Sequence, residues 1–179
     1  MNPLLALVWG LALALLFVVW VSYNRLVAAK NAVREAWGGV EAQLKRRHDL
    51  IPQLVAATRA YASHEKGLFE RVAKMRSGFD PEAEAETTQA LVELLLTAEA
   101  YPELKASANF LNLQKSLAEV EEALALARRY YNGAVRVYNT LLESFPTNLV
   151  ARAFGFKPAA YFEVPTAQER LRPEVRFEG

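Results

Sequence analysis

Residues Leu4–Val21, LLALVWGLALALLFVVWV, form a run of eighteen residues without a single charge. Wound as an α-helix at ~1.5 Å per residue, it covers roughly 27 Å, enough to cross the hydrocarbon core of a bilayer. A buried helix of a soluble protein and a cleaved signal peptide are the competing readings. A signal peptide needs a basic leading region, a shorter apolar core and a small-x-small cleavage site. Met1-Asn2-Pro3 carries no Lys or Arg, VVWVSYNRL offers no such site, and a chain without Cys has no lipoprotein attachment point. The run therefore reads as an uncleaved transmembrane anchor, residues 1–22, embedded in the lipid bilayer through residues 4–22. Trp20 and Tyr23 fall where aromatic side chains hold a span at the headgroups, and Arg25 is the first cation beyond it. No basic residue precedes the run, while Arg25, Lys30 and Arg34 follow it. The positive-inside bias then puts the N-terminus outside and the rest of the chain in the cytoplasm.

The charge of the whole chain excludes other classes. Of 179 residues, 21 are Lys or Arg and 20 are Asp or Glu, a balance unlike the basic excess of a general nucleic-acid binder. Zero Cys removes disulfides, thiolate catalysis and Cys-based metal sites, and is neutral on redox compartment.

Past the anchor, the apolar residues keep a helical period. Leu26, Val27, Val33, Trp37, Val40 and Leu44 continue into Ile51, Leu54, Val55, Tyr61, Leu68, Val72 and Met75, mostly three or four apart. Gly38-Gly39 weakens this helix by about 1–2 kcal/mol on propensity. Pro52 removes a backbone donor and crowds the preceding turn. RRHDLIP holds no Gly, Ser or Asn, so a kink is favoured at Pro52 over a hairpin, which stays open as the alternative. Gly78, Asp80 and Pro81 have the order of a helix stop, an N-cap and a first helical residue. A helix over 81–100 is expected, with Leu91, Leu94, Leu95 and Ala98 on one arc. Tyr101-Pro102 breaks it, and a long helix over 103–144 follows. Its core side is assigned to Leu104, Leu111, Leu117, Val120, Leu124, Ala127, Tyr131, Val135, Tyr138 and Leu142. After Phe145-Pro146, Thr147 is positioned to cap a short helix through Phe154 that Gly155 closes. Pro158, Pro165 and Pro173 mark an extended tail. No alternating strand pattern occurs. The fold class is all-α: a transmembrane helix, then an elongated antiparallel bundle of three to four long helices over 23–145, then a short helix and tail over 146–179.

Charge is segregated along the bundle. Residues 80–103 hold seven acids and no Lys or Arg, whereas Lys45, Arg46 and Arg47 form a basic run beside His48. The basic run is a candidate docking site for an acidic partner. Pairing with the acidic helix inside the bundle is the plainer reading, as is a solvated face, with exposed pairs contributing roughly 0–1 kcal/mol each. On a continuous helix Arg46 stands on the order of 30 Å beyond the membrane, several Debye lengths, which argues against a lipid role.

Catalytic chemistry finds little footing. His64-Glu65 opens a zinc-protease pattern, but Leu68 stands where its second His must be. An enzyme or metal site built on His48, His64 and nearby carboxylates is the alternative to a non-enzymatic protein. It needs a tight fold-back at Pro52. No Gly-rich phosphate loop or nucleophile elbow is present. The expectation is no catalytic residue, no metal ligand and no cofactor. Aromatic and amide residues are the less ordinary feature: Tyr131-Asn132 and Tyr138-Asn139 recur seven residues apart, two helical turns along one face. These four residues are a candidate groove for a peptide or partner helix. The alternative is that their amides bond between helices and set register. Phe110, Phe145, Phe154, Phe156, Tyr161 and Phe162 gather toward the C-terminus, and a tail with that many rings should pack back or bind something.

The chain resembles the LemA family. The matching pieces are YNRLV at 23–27, Ala36-Trp37, QLKRRHDLIPQLV at 43–55, YASHE at 61–65 and YPELK at 101–105. NFLNLQKSL at 109–117, ARRYYN at 127–132, VYNTLLESFPTNLVA at 137–151, FGFKP at 154–158 and YFE at 161–163 continue it in order. Val120 and Glu122 depart from a Thr-Glu-Asn run that the family more often shows around Glu121, and Ser107 stands where Asn is common. The resemblance implies a single-pass inner-membrane protein with a cytoplasmic helical bundle and supplies no catalytic residue or cofactor. Family members often occur near membrane-associated metallopeptidases, and some act in organising membranes or in magnetosome formation. A scaffold or adaptor is the implied role, with a second copy of the chain, a membrane-associated protease or another membrane protein as partner.

Overall fold

The computed structural model describes residues 3–61, 67, 72 and 81–163. Gly78, Asp80, His64 and the tail beyond Glu163 lie outside the described residues. Among the described residues five helices have both ends defined, α1 (Pro3–Arg59), α2 (Pro81–Glu99), α3 (Pro102–Lys105), α4 (Ala108–Glu143) and α5 (Thr147–Ala153), and Gly67 and Val72 are helical as well. The described residues contain no strand, and the chain is all-α. Proline opens α1, α2 and α3, where its missing N–H would have no intrahelical partner anyway.

Helix α1 continues through Pro52 without a reversal. Interior proline costs about 3 kcal/mol. Ile51 and Leu54 on either side are 3% and 0% exposed, and each buried aliphatic side chain contributes roughly 1.5–3 kcal/mol, which outweighs that cost. Gln53 Nε2 also donates to the Asp49 carbonyl, 3.1 Å away, in the turn that proline disturbs. The helix stops at Arg59, earlier than its apolar period suggests, and Tyr61 N closes a tight turn onto the Thr58 carbonyl.

The chain forms two compact units. The first takes Met1–Val40 and Leu126–Tyr161. Within it α1 and α4 run antiparallel: Trp37 meets Tyr131 ring to ring at 5.2 Å, and Leu26 packs with Leu141 and Leu142 further along. Val150, Ala151 and Phe156 complete that core. The second unit takes Glu41–Ala125 and Phe162–Gly179. Its core joins Ile51 and Leu54 of α1, Val72 from the stretch between α1 and α2, Leu91, Leu94 and Ala98 of α2, Leu104 of α3, and Phe110, Leu113 and Leu117 of α4.

Two expectations shift at the start of α4. The helix begins at Ala108, not at 103, because Pro102–Lys105 closes a separate turn. Ser107 then occupies the N-cap, its carbonyl accepting from Leu111 N at 3.0 Å. Ser and Asn are comparable N-caps, so the family's usual Asn fits the same place. Leu111 is 49% exposed, and Phe110 is buried in its stead. The stripe through Leu113, Leu117 and Leu124 sets the helix phase, and position 110 lies on it.

The end of α5 is a glycine-closed turn. Gly155 has φ 70°, Phe156 N reaches the Ala151 carbonyl at 2.9 Å and Gly155 N the Arg152 carbonyl at 3.3 Å. This is the paired bond set of a Schellman motif, and Phe156 packs against the cluster of Leu26, Val150 and Ala151. Thr147 does not cap α5, whose N-cap is Pro146. Its hydroxyl lies 2.6 Å from the Leu141 carbonyl and 2.7 Å from that of Ser144, at the end of α4, where carbonyls lack intrahelical donors.

Candidate functional site

The N-terminal part of α1 is the most constraining surface of the molecule. It carries an 18-residue window long and apolar enough to cross a membrane, with 0% of that window buried. Leu4, Trp9 and Leu11 are 71, 68 and 65% exposed. Trp20 is exposed and Arg25 points outward, whereas Tyr23 packs its ring on Phe154 and Phe156 at 4.9 and 5.8 Å. Burial resumes at Ser22 and Leu26.

The basic run of α1 divides by helix phase. Lys45 and Arg46 face outward. Arg47 is 2% exposed and is bound inside the second unit. Its Nη1 pairs with Glu84 Oε1, its Nη2 donates to Thr88 Oγ1 at 3.0 Å, and Glu121 Oε1 lies 2.6 Å from Nε without hydrogen-bond alignment. Thr88 in turn donates to the Glu84 carbonyl at 2.9 Å. A residue held this way is not presented to an outside partner. Arg47 makes the internal pairing with the acidic helix that its charge allows, since a guanidinium leaving water must carry its counterions with it. Sequence reasoning weighed that pairing but did not single out Glu84, Thr88 or Glu121. The signal was Glu84 and Thr88 at i, i+4 on α2.

The aromatic-amide face of α4 is also occupied, by the chain's own residues 157–160. Tyr131 Oη donates to the Ala160 carbonyl and Tyr138 Oη to the Lys157 carbonyl, both at 2.9 Å. Asn139 reads Ala159 twice, Nδ2 donating to its carbonyl and Oδ1 accepting from its N–H, both at 2.9 Å. The spacing is a geometric match. Seven helical residues rise ~10 Å, and three extended residues span ~10 Å. Two tyrosines two turns apart therefore meet carbonyls three residues apart on a segment running antiparallel to α4. Burial raises both phenols above the ordinary tyrosine value, which keeps them as donors. Asn132 lies half-buried beside Tyr131. The contacts are to main chain, so no sequence pattern within 157–160 could have revealed them.

Among the described residues no group of three or more His, Asp or Glu could hold a metal ion. His48 lines a cavity of about 620 Å³ with Ile51, Pro52 and Val55, and His64 lies outside the described residues.

These features define an all-α protein whose leading helix bears an exposed apolar span and whose polar clusters bind the chain to itself. The sequence profile of the LemA family matches residues 36–177, and the chain belongs to that family. Its relatives include Magnetosome protein MamQ 2 and Magnetosome protein MamQ 1 of Paramagnetospirillum magneticum, each 24% identical over 184 residues, covering 84% of this chain and 68% of the relative. Protein LemA of Metamycoplasma hominis is 23% identical over 163 residues, covering 86% of this chain and 74% of the relative.

Proposed function

We propose that this protein is a single-pass, non-enzymatic scaffold, tethered to the inner membrane by residues 4–22 and holding partners at the cytoplasmic face. The observation that carries the reading is the wholly exposed apolar window of α1. Eighteen apolar residues facing water would forfeit roughly 1.5–3 kcal/mol for each large side chain, and a bilayer removes that penalty. Arg25, Lys30 and Arg34 on the far side favour a cytoplasmic bundle and an N-terminus outside. The relatives named as magnetosome proteins support a role in membrane organisation. The bundle's polar clusters serve packing, and the role left to it is to offer surfaces: the outward Lys45 and Arg46 for an acidic partner, and the exposed Leu126, Tyr130 and Val137 of α4, outside the contacts with residues 157–160, for a second copy or a membrane-associated protease.

Anchoring and topology are tested by a reporter fused after Gly179, expected to be active in the cytoplasm, and by external protease, expected to leave the bundle intact in whole cells. Moving Arg25, Lys30 and Arg34 to the N-terminal flank should weaken or invert that topology. Crosslinking in native membranes should recover a homo-oligomer or a defined partner, and monomer alone at native expression would contradict the scaffold. Metal analysis of the purified chain, with a His48→Ala/His64→Ala variant, separates this reading from an enzyme. Stoichiometric metal together with loss of function in that variant would favour the enzyme.

A further inference from the structure

From the geometry of the first unit we infer that a cleft below the anchor is a binding site for the phosphate group of an anionic phospholipid. The cleft, about 330 Å³, is lined by Tyr23, Lys30, Asn31 and Arg34 of α1 and by Phe154 and Phe156 around the glycine-closed turn. The inference rests on the anchoring reading, since only a membrane-held α1 brings headgroups to it.

Three observations converge on that ligand. First, the cleft is cationic without internal compensation. Lys30 and Arg34 stand one turn apart on one helix face, and among the described residues neither has a carboxylate within ion-pair distance. Glu35 is adjacent in sequence to Arg34, about 100° further around the helix, and forms no ion pair with it. Second, its chemistry is mixed in the way a lipid headgroup requires. Two cations and the Asn31 amide offer donors to phosphate oxygens, and the rings of Tyr23, Phe154 and Phe156 form an apolar wall for glycerol and the first acyl carbons. Lys30 Nζ sits 5.7 Å from the centre of the Phe156 ring, which holds the ammonium in place. The turn at Gly155 puts both phenylalanines there, so the wall is built by the fold and not by the helix alone.

Third, its depth is right. Tyr23 marks the end of the apolar span, and Lys30 is seven residues further, about 10 Å along the helix. That is about one Debye length, and a lysine side chain reaches back several ångströms toward the surface. Lys45 and Arg46 are on the order of 30 Å from Tyr23 along the same helix and lack this advantage. The cytoplasmic leaflet carries the anionic lipids, which is the side the basic flank selects.

The test uses the full chain in nanodiscs of phosphatidylcholine containing spin-labelled phosphatidylglycerol or spin-labelled phosphatidylcholine, reading the motionally restricted fraction by electron paramagnetic resonance. The wild-type chain should restrict phosphatidylglycerol in preference to phosphatidylcholine, on the order of fivefold for each cation. Lys30→Gln/Arg34→Gln should abolish the preference with unchanged helical circular dichroism, and the single variants should each remove part of it. Arg129→Gln/Arg136→Gln, which removes the same charge from exposed positions of α4, should keep it. A wild-type chain without preference, or a preference that survives loss of Lys30 and Arg34, overturns the site. Equal loss in both double variants would mean unlocalised charge attraction and would also overturn it. Displacement of the labelled lipid by millimolar inorganic phosphate would identify a soluble anion as the ligand and reject the lipid. Carbonate extraction of the chain from vesicles is run alongside: release defeats the anchoring reading and this site with it, whereas retention without lipid preference defeats this site alone.

Discussion

Replacing Arg47 by Met should be far more damaging than its place in a basic run implies. The Arg47 side chain is 3% exposed and that of Glu84 is 5%, so the substitution leaves a buried carboxylate without its cation. Breaking such a pair from one side costs about 3–5 kcal/mol. Glu121 is 41% exposed and can turn to water, so its share is no more than the ~0–1 kcal/mol of a surface pair. Thr88 keeps its own bond to the Glu84 carbonyl and adds little. The double variant Arg47→Met/Glu84→Leu removes both charges and fills similar volume, and should return to within about 1 kcal/mol of wild type. Unfolding of the full chain in detergent micelles, followed by circular dichroism for wild type, both single variants and the double, supplies the cycle. Hydrogen exchange assigns the loss to the second unit, where residues 84–98 should lose protection first. A single variant costing under about 1 kcal/mol, or a double variant as unstable as Arg47→Met, would refute the buried-pair reasoning.

Asn139→Ala removes both bonds to Ala159 and should cost about 1–2 kcal/mol, read as loss of exchange protection over 156–161 while the Leu94 region is unchanged. Gly155→Ala meets open space but must hold φ near 70°, so it should cost about 1–2 kcal/mol, and Gly155→Asn less, checked by Tm. Tyr131 and Tyr138 hold their protons more tightly in the folded chain than in the unfolded one. Their contribution is therefore complete below about pH 10 and is lost as pH rises through the folded values. Alkaline unfolding should begin above pH 10, and Tyr138→Phe should make the loss shallower.

Element type was legible wherever one residue's chemistry leaves a single local solution. The charge-free run from Leu4, the helix opening at Pro81, the break at Tyr101-Pro102 and Gly155 as a stop needed no tertiary contact to be read. At Pro52 the lack of turn residues favoured a kink without excluding a hairpin, and the structure decides for a helix that continues. Legibility failed where phase or partner mattered. Leu111 and Phe110 are adjacent apolar residues, and the phase of the buried stripe through Leu113, Leu117 and Leu124 decides which one faces the core. Thr147 is a good N-cap by type, yet its hydroxyl serves the end of the preceding helix because that end comes within its reach. Lys45, Arg46 and Arg47 are one run in sequence and two environments in space.

The amino-acid order alone settled that this chain is helical, that its first segment is long and apolar enough to cross a membrane, and that it carries no thiol chemistry. These properties depend on residues near one another along the chain, where periodicity and transfer free energy act without knowledge of the fold. Tertiary structure decided what the polar residues are for. Whether Arg47 meets a partner or Glu84, and whether Tyr131, Tyr138 and Asn139 offer a groove or fill one, depends on which segments converge. Residues 37 or 20 positions apart in sequence are brought into hydrogen-bonding range only by packing.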